Sequence, residues 1–438
     1  MTAAARNWLK EMVRPPPAAT MTAAASKFLA VGLCLSVSLI AGCAAAHQVS
    51  HSLSGRKVPA DRLEWIGTTP ILTLSGTPYE MGYQHGSMLK SQVRASVAGM
   101  MGFVDREAGF RFVGGWLARW KLERAWKKMK PHVPADTLEE LRGLSDGAGI
   151  PLAVLERIHA LPEMTANSCA SFAAFGPATK DGRLIQIRNL DWAIQSGVQQ
   201  HAAIFVTRPK GKIPFINIGW AGFIGLVSGI NGKGISVSEI GAETVDRTLK
   251  GLPMPFLLRR VLEESEDLEQ AVETVQAARR TGGYNYVFAD AVRKRAVALE
   301  TTRSHCAVFW MDGEPQNSPH QLSVLNTIFR SDWAVDPVVR DLQRACRGDP
   351  TQPGLESPEG TSSYDVRYRQ QGELLFRFRR ILDPEIAMVI ARAIAPDSNI
   401  QSVVYAYPQV WIANATGRQP AAMGTYLQLD VKDLLKKE

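Results

Sequence analysis

The chain has 438 residues, of which 45% are apolar and 21% charged, and a formal net charge of +8. That length fits one large or two ordinary domains, with ample apolar residues for a packed core. The positive balance is too modest at this size to point to nucleic acid, and with no zinc-type Cys/His spacing, Walker loop or G-x-G-x-x-G after a strand, neither metal nor cofactor is expected.

Residues 1–43 read as a leader. Phe28 to Ala41 is an apolar run behind Lys27, the pattern of a secretory h-region, and it is short for spanning a bilayer. It ends in Ile40-Ala41-Gly42-Cys43, small residues before a cysteine, as in a bacterial lipobox. That implies cleavage before Cys43, lipidation of its thiol, membrane attachment through the lipid, and a place at the bacterial cell envelope. Ala44 favours the periplasmic face of the outer membrane. An uncleaved anchor and ordinary signal cleavage near Ala44–Ala46 stay open, as does a start at Met21 rather than Met1. Residues 44–63 are polar and read as a tether.

Along the remaining chain, Trp65 to Leu74 alternates like a strand. Glu80 to Met101 has helical spacing through Met81, Leu89 and Val93. Phe110 to Lys130 is aromatic and basic, either a membrane-facing patch or an amphipathic helix with tryptophans in the core. Ala135 to Ala148 is a further helix. From residue 169 the pattern turns strand-rich. Short apolar runs span Ala202–Thr207, Phe215–Trp220, Leu226–Ile230 and Gly234–Ile240. Helices are expected over Pro255–Ser265 and Leu268–Ala278, then strands over Asn285–Ala289, Ala296–Glu300 and Cys306–Met311. Helices over Asp365–Leu382 and Asp383–Ala393 precede strands over Val403–Ile412 and Gly424–Leu429. Strands, helices, strands and helices in blocks predict a layered α+β protein. Cys306 and Cys346 either pair in an oxidising compartment or make no contact.

The most informative run is Ser168-Cys169 through Asp181-Gly182 to Arg188-Asn189-Leu190-Asp191-Trp192. Two alternating stretches around Asp-Gly read as a hairpin. It returns Arg188 and Asp191 to the side of Cys169. A thiol beside a cation is a nucleophile candidate, because positive charge favours the thiolate.

This run resembles the autoproteolytic start of the penicillin acyltransferase-like branch of the N-terminal nucleophile (Ntn) hydrolases. Leu74–Gly86, Gly143–Leu152, Gly229–Ser236, Gly282–Ala291 and Ser362–Arg369 follow in that family's order. The resemblance implies a four-layer αββα sandwich and self-cleavage between Ser168 and Cys169. Residues 64–168 would become a small alpha fragment that stays bound to a catalytic beta fragment, 169–438. Ser168 replaces the glycine of the best-known penicillin acyltransferase. The new α-amino group would act as base; its pKa of about 7.7–8.0 and a thiol's of about 8.5 make proton exchange cheap.

The resemblance also assigns roles. Cys169 is the nucleophile, Arg188 holds its thiolate, and Asp191 orients the amino group. Asn231, first of all a turn residue in Asn-Gly, would also be an oxyanion donor. Asn285 would orient the nucleophile and bind the oxyanion. Arg367 matches a late arginine, with Arg369 two residues away as the other register. Where many relatives carry Thr-Asn-His-Phe, this chain reads Asn326-Thr327-Ile328-Phe329, without the histidine, and its eight histidines form no other cluster. The implied activity is cleavage or transfer at linear N-acyl amides through a thioester. Ester cleavage of phospholipase or lipase type is the alternative within the same chemistry. A catalytically silent binding lipoprotein is the alternative outside it.

Overall fold

A computed structural model describes residues 62–108, 113–165, 168–311, 321–346, 363–415 and 420–436. Cys43, the leader and nearly all of the tether lie outside the described residues.

The chain opens with a hairpin, β1 (Leu63–Ile66) and β2 (Thr69–Gly76), so the run that reads as one strand contains a turn and the tether ends inside β1. Helices α1 (Pro78–Met88), α2 (Lys90–Glu107), α3 (Val113–Met129), α4 (Ala135–Ala148) and α5 (Leu152–Ala160) follow. The expected single helix over Glu80–Met101 breaks at Leu89 into α1 and α2. Thr77 and Glu80 form a reciprocal capping box that fixes the start of α1. In α3, Trp126 is buried while Trp116 and Trp120 are exposed.

The motifs Gly82-x-x-x-Gly86 and Gly143-x-x-x-Gly147 put α1 and α4 in backbone contact. A Cβ at Gly82 would sit 2.0 Å from Glu140 O, and one at Gly143 would sit 2.1 Å from Tyr79 O. Any side chain there would force the helices apart, so both glycines are needed for close approach.

Strands β3 (Ser168–Gly176), β4 (Gly182–Asp191), β5 (Ala202–Pro209), β6 (Phe215–Trp220), β7 (Ser228–Asn231) and β8 (Ile235–Gly241) come next. Helices α6 (Met254–Glu264) and α7 (Leu268–Ala277) precede β9 (Tyr284–Asp290), β10 (Arg295–Thr301), β11 (Cys306–Trp310) and β12 (Thr327–Arg330). Then come α8 (Pro337–Cys346), α9 (Ser363–Phe378), α10 (Pro384–Ala393), β13 (Asn399–Ala406), β14 (Gln409–Asn414), β15 (Leu427–Asp430) and α11 (Val431–Leu435). The run Val403–Ile412 is two strands around Tyr407-Pro408 rather than one. Helices α5 and α8 had no counterpart in the periodicity reading.

A nine-stranded sheet runs β1-β2-β5-β6-β7-β8-β9-β10-β11, and a six-stranded sheet runs β12-β3-β4-β13-β14-β15. They face each other, β3 against β8 and β9 and β10 against β12. Helices α1, α6 and α7 cover the outer face of the larger sheet, and α9 and α10 that of the smaller. This is a four-layer αββα sandwich, the Ntn-hydrolase fold, as the resemblance implies. The chain ahead of Ser168 is built into it, because β2 pairs in parallel with β5. Away from β3 the sheets meet through Ile71, Ile204, Ile216, Val403, Val410 and Ile412, a buried apolar layer.

No helix among the described residues is long and apolar enough to cross a membrane. No group of three or more His, Cys, Asp or Glu there could hold a metal ion. Cys306 on β11 and Cys346 at the end of α8 are not joined by a disulfide.

Candidate active site

The β3–β4 hairpin positions the site. Its register pairs Ser168 with Asp191, Cys169 with Leu190 and Ser171 with Arg188. The loop between the strands spans five residues, 177–181, and Gly182 follows with φ 73°. Because side chains alternate, Cys169 and Arg188 face the larger sheet, whereas Ser168 and Asp191 face the helices. The hairpin therefore sets two different surroundings around one residue, a thiol side and an amide side.

On the thiol side, Arg188 Nη2 lies 3.8 Å from Cys169 Sγ and 3.0 Å from Glu239 Oε2 on β8. All three residues are fully buried. Arg188 Nε and Nη1 find no hydrogen-bond partner among the described residues. Burial pushes the Cys169 thiol far above its ordinary range; Arg188 opposes this, while Glu239 and Asp191 add to it. Arg188 therefore acts in the expected direction on the Cys169 thiol, but in the intact chain burial acts more strongly against the thiolate. Desolvation of the anion outweighs one guanidinium that Glu239 already shares.

On the amide side, the Cys169 N–H donates to Asp332 Oδ1 at 2.8 Å, and Ser168 Oγ donates to Asp332 Oδ2 at 2.7 Å. Asp332 follows β12, which pairs with β3. Asp191 accepts from Arg367 Nη1 at 2.5 Å and from Asn399 Nδ2 at 3.0 Å. Arg367 also stands 4.0 Å from Asp332 Oδ2. Burial lifts the Asp191 carboxyl to about 6 against the pull of Arg367 and Asn399. Two buried carboxylates here share one guanidinium.

The remaining expected residues divide. Arg367 is buried against Asp191, whereas Arg369 is exposed. Asn285 Nδ2 donates to Ser331 O at 3.0 Å, next to Asp332, and its Oδ1 has no partner among the described residues. Asn231 does not join the site as an oxyanion donor. Its two amide protons go to Leu262 O and Ser265 O, and its Oδ1 accepts from the N–H of Lys233 and of Ile235. Every polar capacity it has is used to clamp the β7–β8 turn to α6.

Sequence reasoning missed Asp332 and Glu239. Asp332 lies 163 residues from Cys169, just past Asn326–Phe329, where many relatives carry a histidine. Glu239 sits in an alternating run on β8, where a fully buried acid was the only signal to find.

Two cavities flank the segment before Ser168. One of about 70 Å³ is apolar, lined by Met100, Leu190, Trp192, Trp220 and Phe223, and ends on Glu239. The other, of about 300 Å³, is bordered by Glu163, Arg247, Thr281 and Tyr284. Pro162 and Thr165 line both.

A model of the family described as acyl-coenzyme A:6-aminopenicillanic acid acyl-transferase matches residues 178–314. That span holds Arg188, Asp191, Glu239 and Asn285 but neither Cys169 nor Asp332. The chain is 28% identical over 229 residues to protein dcd1B of Dictyostelium discoideum, covering 48% of this chain and 46% of that protein. It is 24% identical over 216 residues to the N-acylethanolamine-hydrolyzing acid amidase of Rattus norvegicus, covering 47% of this chain and 59% of the amidase. It thus spans about half the length of the curated relatives it matches. The solved structure of the Caenorhabditis elegans ortholog of that amidase aligns at 15% identity with a TM-score of 0.39, covering 54% of this chain and 92% of the other. The chain is an αββα protein of the Ntn-hydrolase fold, and its segment 178–314 is similar to the acyl-coenzyme A:6-aminopenicillanic acid acyl-transferase family.

Proposed function

We propose that this protein is an amidohydrolase activated by its own cleavage at Ser168–Cys169, acting on linear N-acyl amides through a Cys169 thioester. The observation that carries the reading is that Cys169 presents both halves of such a site. Its thiol meets Arg188 at 3.8 Å and its amide N–H meets Asp332 at 2.8 Å.

In the first step the thiol sulfur would attack the Ser168 carbonyl, the C–N bond would break, and the amide nitrogen would take the thiol proton. Water would then hydrolyse the Ser168 thioester and regenerate the thiol. The freed α-amino group would lie against Asp332. With an ordinary pKa of about 7.7–8.0 it exchanges protons readily near neutral pH, and once protonated it would add positive charge beside Asp332 and Asp191. In turnover its neutral form would accept the thiol proton as Cys169 attacks the substrate and pass it to the leaving amine, and water would then hydrolyse the acyl thioester and restore the thiol. Arg188 offers donors to the sulfur, and Asn285 to the developing oxyanion. The apolar cavity beside Glu239 suits an acyl chain and the more polar one suits the amine. Movement of Pro162–Thr165 after cleavage would join them. The similarity to an N-acylethanolamine-hydrolyzing acid amidase supports this substrate class. The two fragments would stay together through β2–β5 pairing and the Glu140–Arg259 ion pair.

N-terminal sequencing and intact mass of the purified protein test the mechanism. Two fragments are expected, the larger starting at Cys169, while Cys169→Ala stays one inactive chain. Asp332→Asn should slow both cleavage and turnover. An intact single chain that hydrolyses N-acyl amides would overturn the reading, and faster turnover of esters than of amides would redirect it to the ester-cleaving alternative.

Attachment at the cell envelope through Cys43 is a separate proposal, resting on the leader sequence alone. Labelled palmitate should enter the wild type and not Cys43→Ser; a wild type that is soluble and unlabelled would overturn it.

A further inference from the structure

Two histidines outside the active site converge on one loop. His85 on α1 and His159 on α5 precede Ser168, whereas the loop 221–225, between β6 and β7, follows it. His85 Nε2 accepts the Gly222 N–H at 3.0 Å, and His159 Nε2 accepts the Ile224 N–H at 3.0 Å. His159 Nδ1 donates to Leu155 O at 2.8 Å, which fixes its tautomer. The His159 ring stacks on Phe223 and Phe256, with centroids 4.8 and 5.8 Å away, and His85 packs on Phe205 at 4.5 Å. Phe223 belongs to the loop and, with Trp220 and Val227, walls the apolar cavity beside Glu239.

An imidazolium has no lone pair, so both contacts require neutral rings. Burial holds His85 down to about 3, helped by His159 and Arg259. It holds His159 down to about 4, against its bond to Leu155 O and with Arg259. The charged group facing both rings is Arg259, itself paired with Glu140 and Glu263, and its Nη1 also donates to Ile224 O at 3.2 Å. Three residues from three helices therefore hold Gly222 and Ile224, in a loop that is also bonded at Ala221 N–H to His201 O and at Gly225 O by Asn217 Nδ2.

We propose that His85 and His159 are positioning residues for the acyl pocket: as neutral acceptors they reach across the cleavage point, fix Gly222 and Ile224, and hold Phe223 against the cavity. The role in turnover rests on the amidohydrolase reading; the staple itself does not. Each bond tethers the fragment behind the cut to the fragment ahead of it. The pocket wall thus stays in place after the covalent link is lost.

His85→Phe and His159→Phe keep ring volume and remove the acceptor, whereas His85→Gln and His159→Gln keep an acceptor. N-acyl amides with short and long acyl chains should separate the effects. In the Phe variants KM for long-acyl substrates should rise roughly tenfold, the size of a lost buried hydrogen bond. Their kcat on short-acyl substrates should hold, and the Gln variants should recover most of the loss. Folded, processed Phe variants with unchanged long-acyl KM would overturn the proposal. If those variants fail to fold, amide hydrogen exchange on the full wild-type chain decides. The Gly222 and Ile224 amides should be protected near neutral pH and lose protection as the two rings titrate in acid, while Ile218 on β6 stays protected. Protection that does not follow the rings would overturn the staple. A wild type without amidase activity, but with these amides protected, would sink the amidohydrolase reading and leave the staple standing.

Discussion

Arg188 and Arg259 are both buried arginines paired with glutamate, and their surroundings differ in one respect that separates chemistry from architecture. Arg259 uses every nitrogen. Nη1 and Nη2 bind Glu140, Nε binds Glu263 at 2.7 Å, and Nη1 also reaches Ile224 O. Burial works against its charge, but Glu140 and Glu263 outweigh that and raise its pKa further. Arg188 uses one nitrogen for both Glu239 and Cys169 Sγ, and its Nε and Nη1 have no partner among the described residues. A buried unsatisfied donor costs about 1–3 kcal/mol. The fold meets that cost at Arg188 beside the thiol, whereas each guanidinium nitrogen of Arg259 has a partner. Arg259 is a rivet; under the proposed mechanism the two unpaired nitrogens of Arg188 would be available to charge that forms during reaction.

The largest expected effect breaks the rivet. Arg259→Met leaves Glu140 uncompensated and Glu263 with Lys212 alone. Removing one partner of a buried pair costs about 3–5 kcal/mol. Urea unfolding should show that loss, and after cleavage the fragments should separate at lower denaturant than in the wild type. A variant of wild-type stability would show that the network is incidental. Residual activity per folded molecule should survive apart from the loosening of Ile224.

Arg188→Met should have the opposite profile. Turnover should fall by about 10²–10³-fold, the range for loss of a preorganised donor at a reacting centre. The stability loss should be smaller than for Arg259→Met, because two of the removed nitrogens had no bond to lose. Active-site titration beside thermal melts separates the two. If stability collapses and the folded remainder turns over normally, Arg188 is structural after all.

A smaller effect is a slope with pH. Burial lifts Asp191 from 3.8 to about 6, so the folded chain still holds a proton there where the unfolded chain has lost it. Stability linked to this group is therefore fully present below about 3.8 and is lost as pH rises through about 6. Asp191→Asn removes that slope. Denaturation midpoints of wild type minus variant should fall across this window and level off above it. A difference that rises with pH would mean that Arg367 wins over burial.

How much of this was legible in the sequence depends on how local each feature is. The hairpin from Ser168 to Asp191 was readable because alternation and Asp-Gly lie within one short run, and it carries the thiol and Arg188 together. Helix α4 was readable with its end at Ala148, where the Gly147-Ala148-Gly149 run stops it; Gly149 closes it in left-handed conformation at φ 63°. The glycines of α1 and α4 appeared as motifs, but their reason, backbone contact between two helices, exists only in three dimensions. Asp332 was illegible because a single aspartate after a short strand carries no pattern, and only β12–β3 pairing brings it to Cys169. Sequence alone did not say which of Arg367 and Arg369 would meet Asp191; in the fold it is Arg367. The histidines formed no cluster in sequence because His85 and His159 lie on different helices and come together at the loop holding Gly222 and Ile224.

Asn231 gives the smallest expected effect and the clearest check on the division between site and frame. Its sequence carried two compatible meanings, a turn and an oxyanion donor, and its hydrogen bonds leave room for the first alone. Both amide protons bind backbone carbonyls of the α6 end, and the oxygen caps Lys233 and Ile235. Asn231→Ala should therefore cost about 1–3 kcal/mol of stability, since buried backbone groups lose their partners. At temperatures where the variant is folded, kcat and KM should match the wild type, because none of these bonds touches Cys169, Arg188 or Asp332. Loss of kcat without loss of stability would return Asn231 to the oxyanion and require its amide to turn away from α6 in the cleaved protein.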